Sequence, residues 1–183
     1  MNPYLARTAA IMLAAPCLYL STPAWADEGD WATASDVTRD ALIVAAFGVP
    51  LIKKDGDGAI QAGLSLVAAG GTSYLLKEAF PETRPDGSDN KSFPSGHTAT
   101  SFAAAATLQN RYGWKIGLPA HAAAAFVGLA RVEADKHHWY DVVAGAALGE
   151  ISGLLLTKKQ NENVQVWPWA ESKGGGVTVA MRF

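Results

Sequence analysis

The run PSGHTATSFAAAATL at residues 94–108 decides how this chain folds. Ser95 is placed to cap a helix, and Thr98 to Leu108 follows as an Ala-rich stretch, built largely from the strongest intrinsic helix former. The backbone N–H groups of Gly96 and His97 would point outward from the helix start, where an anion is favoured. Gly96 has no side chain and lets a ligand approach that backbone closely. A histidine there can donate a proton to a departing oxygen. Taken alone, the same residues also describe an ordinary capped helix with a surface histidine.

On either side of this helix lie four more apolar segments: Ala41 to Ile52, Ala59 to Leu76, Ile116 to Ala130 and Trp139 to Leu156. Polar breaks separate them at Lys53-Lys54-Asp55-Gly56, at the Pro-, Gly- and charge-rich loop Phe80 to Phe93, and at Arg111 to Lys115. The stretch Asp30 to Arg39 is polar. The pattern predicts an all-α fold, a helical bundle of about five to six helices. The tail differs. Val164 to Trp169 and Val177 to Phe183 alternate with period two around Glu171 to Gly176, which predicts a short C-terminal β-hairpin.

The 183 residues fit one domain, and 49% of them are apolar, enough for a sizeable core. The formal net charge is −2, and Lys and Arg are scattered rather than gathered in a stripe, which argues against a nucleic-acid partner. Residues 1–26 read as an export signal: Arg7 as the positive start, Ala9 to Leu20 as the apolar region, and Ala24-Trp25-Ala26 as a small-x-small cleavage site. An uncleaved first membrane helix is the alternative. Cys17 is the one cysteine, so cleavage would leave no thiol for a disulfide. The organisation expected is residues 1–26 as signal, 27–159 as helical core and 160–183 as tail.

Composition leaves membrane embedding open. The apolar segments are shorter than the roughly 20 residues a spanning helix needs, and several are built from Ala, Gly and Thr. The charges nevertheless fit a membrane topology. With Asp27 outside, Lys53-Lys54, Arg111 to Lys115 and Lys158-Lys159 all fall inside. The loops that carry candidate chemistry then all fall outside.

Two further motifs complete that chemistry. Lys77 is followed by Arg84-Pro85, a compact point charge and a planar fork that together suit a tetrahedral oxyanion. Arg131 is followed by His137, His138 and Asp141. His137 and Asp141 are four apart and would share a helix face. A carboxylate on one ring nitrogen fixes the tautomer and frees the other to attack. In an alternating bundle all three motifs meet at one end.

In this order the motifs resemble the type 2 phosphatidic acid phosphatase and vanadium haloperoxidase superfamily, whose pattern is K-x6-R-P, then P-S-G-H, then S-R-x5-H-x3-D. The resemblance covers about Ala59 to Leu156 and not the tail, and it departs at Ala130, where the family often has Ser. It implies His137 as nucleophile, Asp141 as its orienting group and His97 as general acid. It implies Lys77, Arg84 and Arg131 as ligands of the phosphoryl oxygens, with Ser95 and the Gly96 N–H completing the cradle. No metal and no cofactor are implied. His138 is the alternative register for the nucleophile, but only His137 keeps both the Arg and the Asp spacing; His121 reads as structural.

The function expected is hydrolysis of a phosphate monoester or diphosphate, with a lipid as the substrate class, through a phosphohistidine at the outer face of an inner membrane. Three alternatives stay open on the sequence: a soluble periplasmic acid phosphatase, a vanadium-dependent haloperoxidase, and an exported binding protein with a vestigial site. Oligomeric state is not legible.

Overall fold

A computed structural model describes residues 27–160, 164–171 and 174–181. The expected signal segment, 1–26, lies outside the described residues. Five helices follow in chain order: α1 Glu28–Ile52, α2 Gly56–Ala79, α3 Gly96–Tyr112, α4 Trp114–Glu133 and α5 Trp139–Leu156. All five exceed or match the apolar segments read from sequence, because capped polar turns extend them. Asp27 and Asp30 form a reciprocal capping box, so the polar stretch Asp30 to Arg39 is the first half of α1. Asp55 caps α2 by accepting from the Gly58 N–H at 3.1 Å. The predicted break at Arg111 to Lys115 narrows to Gly113, whose φ of +87° turns the chain between α3 and α4.

The helices pack with small residues inward. Ala46, Ala62, Ala69, Ala99, Ala103, Ala104, Ala105, Ala124 and Ala130 are fully buried, joined by Ser35, Ser65 and Ser101. Leu42, Leu108 and Val127 are buried with them, but most large apolar side chains face the other way: Leu51 is 71% exposed, Val67 74% and Leu155 73%. Each of α1, α2, α4 and α5 carries an outward row of Val, Leu, Ile or Phe.

Helix α3 is the shared centre, and α5 lies closest against it. Gly145, Gly149 and Gly153 recur every four residues along α5 and form the contact. A Cβ at Gly145 would sit 2.4 Å from the Ser95 carbonyl oxygen, one at Gly149 2.2 Å from that of Ala99, and one at Gly153 2.4 Å from the Ala106 Cβ. This is backbone-to-backbone packing, available only where one partner lacks a side chain.

The end of the bundle opposite the candidate site is tied by a buried charge cluster. Arg111 makes a bidentate pair with Asp55, both almost wholly buried. Tyr112 adds its hydroxyl to the same carboxylate at 2.7 Å. The Arg111 bonds hold the Asp55 carboxyl at about 2 against the opposing effect of burial. Arg111 also donates to the Lys158 carbonyl at 2.8 Å, and the Gln61 side chain accepts from the Lys158 N–H at 2.8 Å. The chain leaving α5 is thereby stitched to α2 and α3.

The tail forms the expected hairpin. Strand β1, Val164–Glu171, pairs antiparallel with β2, Gly174–Met181, with Val164 opposite Met181 and Glu171 opposite Gly174. The second strand starts earlier than the alternation predicts. Gly174, Gly175 and Gly176 belong to it, and glycines carry no side-chain pattern to read.

Two substitutions test this packing by thermal unfolding. Gly149→Val should destabilise by about 3 kcal/mol or more, since the obstructing atom is backbone; an unchanged midpoint would mean that α3 and α5 can separate freely. Arg111→Ala should cost about 3–5 kcal/mol by leaving Asp55 buried and unpaired.

Candidate active site

The three motifs converge at one end of the bundle. Lys77 lies in the last turn of α2, Ser95 caps α3, Arg131 lies in the last turn of α4, and Asp141 lies in the first turn of α5. Arg84 reaches in from the loop between α2 and α3. The loop is fastened to the α4–α5 turn by Asp86 N–H to Asp135 O at 3.1 Å, and by an ion pair of 2.6 Å between Lys136 and Asp86.

His137 sits at the middle and is 2% exposed. It is not on a helix, as the four-residue spacing to Asp141 suggested. His138, in extended conformation, takes the N-cap position of α5, so His137 precedes the helix and meets Asp141 across its N-terminus. The His137 Nδ1 lies 3.6 Å from Asp141 Oδ2. Its Nε2 lies 3.2 Å from Arg84 Nη1. A guanidinium can only donate, so Nε2 is the acceptor and the ring proton belongs on Nδ1, facing the carboxylate. Burial, then Lys77, Arg84 and Arg131, hold the His137 imidazole far below its ordinary range, at about 2. The ring is therefore neutral across the physiological range, with its free lone pair on the side of the cations.

Asp141 is fully buried. Its Oδ2 accepts from the Ser92 hydroxyl at 2.5 Å and from the His138 N–H at 2.9 Å, while Oδ1 and the His137 Nδ1 have no hydrogen-bond partner. Both unpartnered atoms belong to the same pair, which can close further once the ring becomes cationic.

The cations are held by oxygen atoms that leave part of each free. Arg84 donates to Asp89 at 2.7 Å and to the Lys136 carbonyl at 2.8 Å. Lys77 donates to the Lys91 and Ser92 carbonyls at 2.5 and 3.1 Å. Arg131 donates to Ser35 at 3.3 Å, and its buried Nε has no partner. Gly96 starts α3 beside Lys77, whose Cε would lie 3.9 Å from a Cβ placed on it. The Ser95 hydroxyl is buried beneath the helix start, where it accepts from the Thr98 hydroxyl at 2.9 Å. Ser95 thus serves as cap, and its N–H donates to the Asp141 carbonyl at 3.0 Å. His97 enters from the other side, its Nε2 2.7 Å from Asp36. His121 is distant in role as well as in sequence, bonded to the Gly117 carbonyl and to Glu150.

Among the described residues one group could hold a metal ion, namely Glu82, His138 and Asp141, with ligand atoms within 4.8 Å of one another. All three are otherwise engaged, Asp141 by Ser92 and the His138 N–H. His138 stacks on Tyr140 at 5.0 Å, and Tyr140 donates to Glu82.

A neutral buried imidazole facing three cations and a helix N-terminus is suited to attack a tetrahedral anion. The model of the PAP2 superfamily matches residues 58–165. The chain belongs to the PAP2 superfamily. Among relatives, it is 35% identical over 106 residues to the lipid A 1-phosphatase of Porphyromonas gingivalis, a match covering 56% of this chain and 24% of that protein. It is 30% identical over 122 residues to the lipid A 4'-phosphatase of Helicobacter pylori, covering 61% of this chain and 62% of that one. The chain thus spans less than two thirds of either relative's length. The crystal structure of Aquifex aeolicus LpxE superposes with a TM-score of 0.61 at 22% identity, covering 70% of this chain and 84% of that one. That likeness concerns the fold.

Sequence reading missed Ser92, Asp36, Arg39 and Ser35. Ser92 adjoins the Pro94-Ser95-Gly96-His97 motif and was legible only as loop. The other three lie in the polar first half of α1, ahead of the part that the family model matches. Ser92→Ala should destabilise the protein by about 1–3 kcal/mol, since it leaves a buried carboxylate one donor short. Thermal unfolding checks this, and an unchanged midpoint would mean that water replaces the hydroxyl.

Proposed function

We propose that this protein is a metal-independent phosphatase acting on a lipid phosphate or diphosphate through a phosphohistidine intermediate. The observation that carries the reading is the buried His137–Asp141 pair, with Nε2 turned toward Arg84 among the cations. His137 Nε2 attacks phosphorus as the bond to the leaving oxygen breaks, and His97 gives that oxygen its proton. The ring of His137 gains positive charge, which Asp141 stabilises from Nδ1. Water then attacks the phosphohistidine with His97 accepting its proton, and phosphate leaves. Lys77, Arg84, Arg131 and the Gly96 N–H hold the three equatorial oxygens, so stabilisation of the transferring group is mainly electrostatic.

The substrate class rests on the packing. Small residues inside and large apolar residues outside are what a bundle needs when its solvent is hydrocarbon. Helices α2 and α5 are long and apolar enough to cross a membrane. At about 1.5 Å per residue, the 24 residues of α2 reach about 36 Å, more than the roughly 30 Å of a bilayer core. Lys53, Lys54, Lys115, Lys158 and Lys159 gather at the end opposite the site, which by the charge rule faces the cytoplasm. The site then opens on the periplasmic side, level with exposed Trp139 and Tyr140. The relatives named as lipid A phosphatases favour an amphiphile whose phosphate stands at the membrane surface.

The test is phosphate release in EDTA by wild type and His137→Ala, on lipid phosphates, lipid diphosphates and soluble monoesters. The expected outcome is release by wild type, strongest on a lipid, lost by about a thousandfold or more in His137→Ala. Equal release by both proteins would remove His137 as nucleophile. A preference for soluble monoesters, with release of the protein by osmotic shock, would replace the lipid reading with a soluble acid phosphatase.

A further inference from the structure

Helix α1 lies outside the matched region, yet it places two charged side chains in the site. Asp36 Oδ1 lies 2.7 Å from His97 Nε2 and 3.8 Å from Arg131 Nη1. Arg39 also touches His97 Nε2 and lies 3.8 Å from the Asp36 carboxylate, while its other side is held by Asp40 at 2.8 Å. Asp36 and Arg39 are three apart and so share one face of α1, turned toward the start of α3.

We propose that Asp36 and Arg39 are positioning residues of the reaction, with Asp36 orienting His97 and keeping a proton on its ring. The inference rests on the phosphatase reading above. Burial, then Arg131 and Arg39, oppose a positive His97 ring and lower it to about 4, and Asp36 acts against them. Asp36 is the carboxylate in contact with it, and it touches Arg131 as well. A guanidinium only donates and a carboxylate only accepts, so Nε2 bonds Arg39 while bare and Asp36 once protonated; in the protonated ring Arg39 turns from Nε2 to the Asp36 carboxylate, and Nδ1 exchanges the proton with the leaving oxygen. When the P–O bond breaks, the electron pair stays on that oxygen and the His97 proton moves to it. In the second step the ring regains a proton from the attacking water. Arg39 holds Asp36 in place as its counter-ion. This arrangement repeats the His137–Asp141 logic on the other side of the transferring group, with the carboxylate supplied by a helix that carries none of the recognised motifs.

The test uses two substrates with the same long alkyl chain. One is an alkyl phosphate, whose leaving alkoxide needs a proton. The other is a nitrophenyl phosphate, whose phenolate leaves without one. Full-length wild type, Asp36→Asn, Arg39→Gln, His97→Ala and the double variant Asp36→Asn/His97→Ala are compared for kcat. Asp36→Asn should lose about 100-fold or more on the alkyl phosphate and less than about 10-fold on the aryl one, the signature of an impaired general acid. Arg39→Gln should show the same bias to a smaller degree. The double variant should be no slower on the alkyl phosphate than His97→Ala, because both act through one group. Equal losses on the two substrates, or losses that multiply in the double variant, would overturn the proposal while leaving the phosphatase reading intact. A wild type inert on both substrates would overturn the two together. Asp36 is half-exposed on α1 and its amide is isosteric, so Asp36→Asn should fold; a full return of activity in Asp36→Glu with misfolded Asp36→Asn would count against a positioning role and for a structural one.

Discussion

Everything at the site end depends on how closely α5 can approach α3. The glycines at 145, 149 and 153 let two backbones touch, and that contact sets the height of Asp141 against the start of α3. The Ser95 N–H then bonds the Asp141 carbonyl directly. The carboxylate beside His137 and the start of α3 are thus parts of one joint. A wider separation would move Asp141 away from His137 and loosen the site proposed to grip a phosphoryl group. Precision of this kind is better built from backbone contact than from long side chains, which have rotamers to lose.

The electrostatics follow from the same joint. Lys77, Arg84 and Arg131 arrive from three different segments and would repel one another in a shared pocket. Each is anchored by oxygen: backbone carbonyls for Lys77, Asp89 and Lys136 O for Arg84, Ser35 and Asp36 for Arg131. The protein therefore assembles its positive field before any anion arrives. Burial first, and that field second, keep His137 neutral, the state its proposed role requires. An anion bound there would relieve the repulsion and favour a cationic ring, as the proposed phosphohistidine requires.

Much of this was legible in the sequence, for identifiable reasons. Lys77, Arg84, His97, Arg131, His137 and Asp141 are modest signals singly, and it is the resemblance of their combined order to a family pattern that singles them out without coordinates. The helix limits were less legible, because capped polar turns such as Asp27 to Arg39 look like loop until the capping box is seen. Which face of each helix turns inward was not legible at all. Both faces are apolar and differ in size rather than polarity, so amphipathic periodicity has little to report. Asp36 escaped for another reason: its partner lies 61 residues away, and nothing local marks a helical carboxylate as aimed at a histidine.

The inverted packing also determines where this chain can tolerate change. In a protein cored by Leu and Phe, interior positions accept one bulky residue for another and exposed positions accept almost anything soluble. Here the interior admits almost no added atom: a methyl group at Gly149 already collides with a carbonyl. The outward Val, Leu and Ile interlock with nothing inside the bundle, so one can replace another at little cost so long as the surface stays oily. Divergence should therefore run fastest over the greasy exterior and slowest among the alanines and glycines within, and the lineage of such a chain is best traced through its smallest residues.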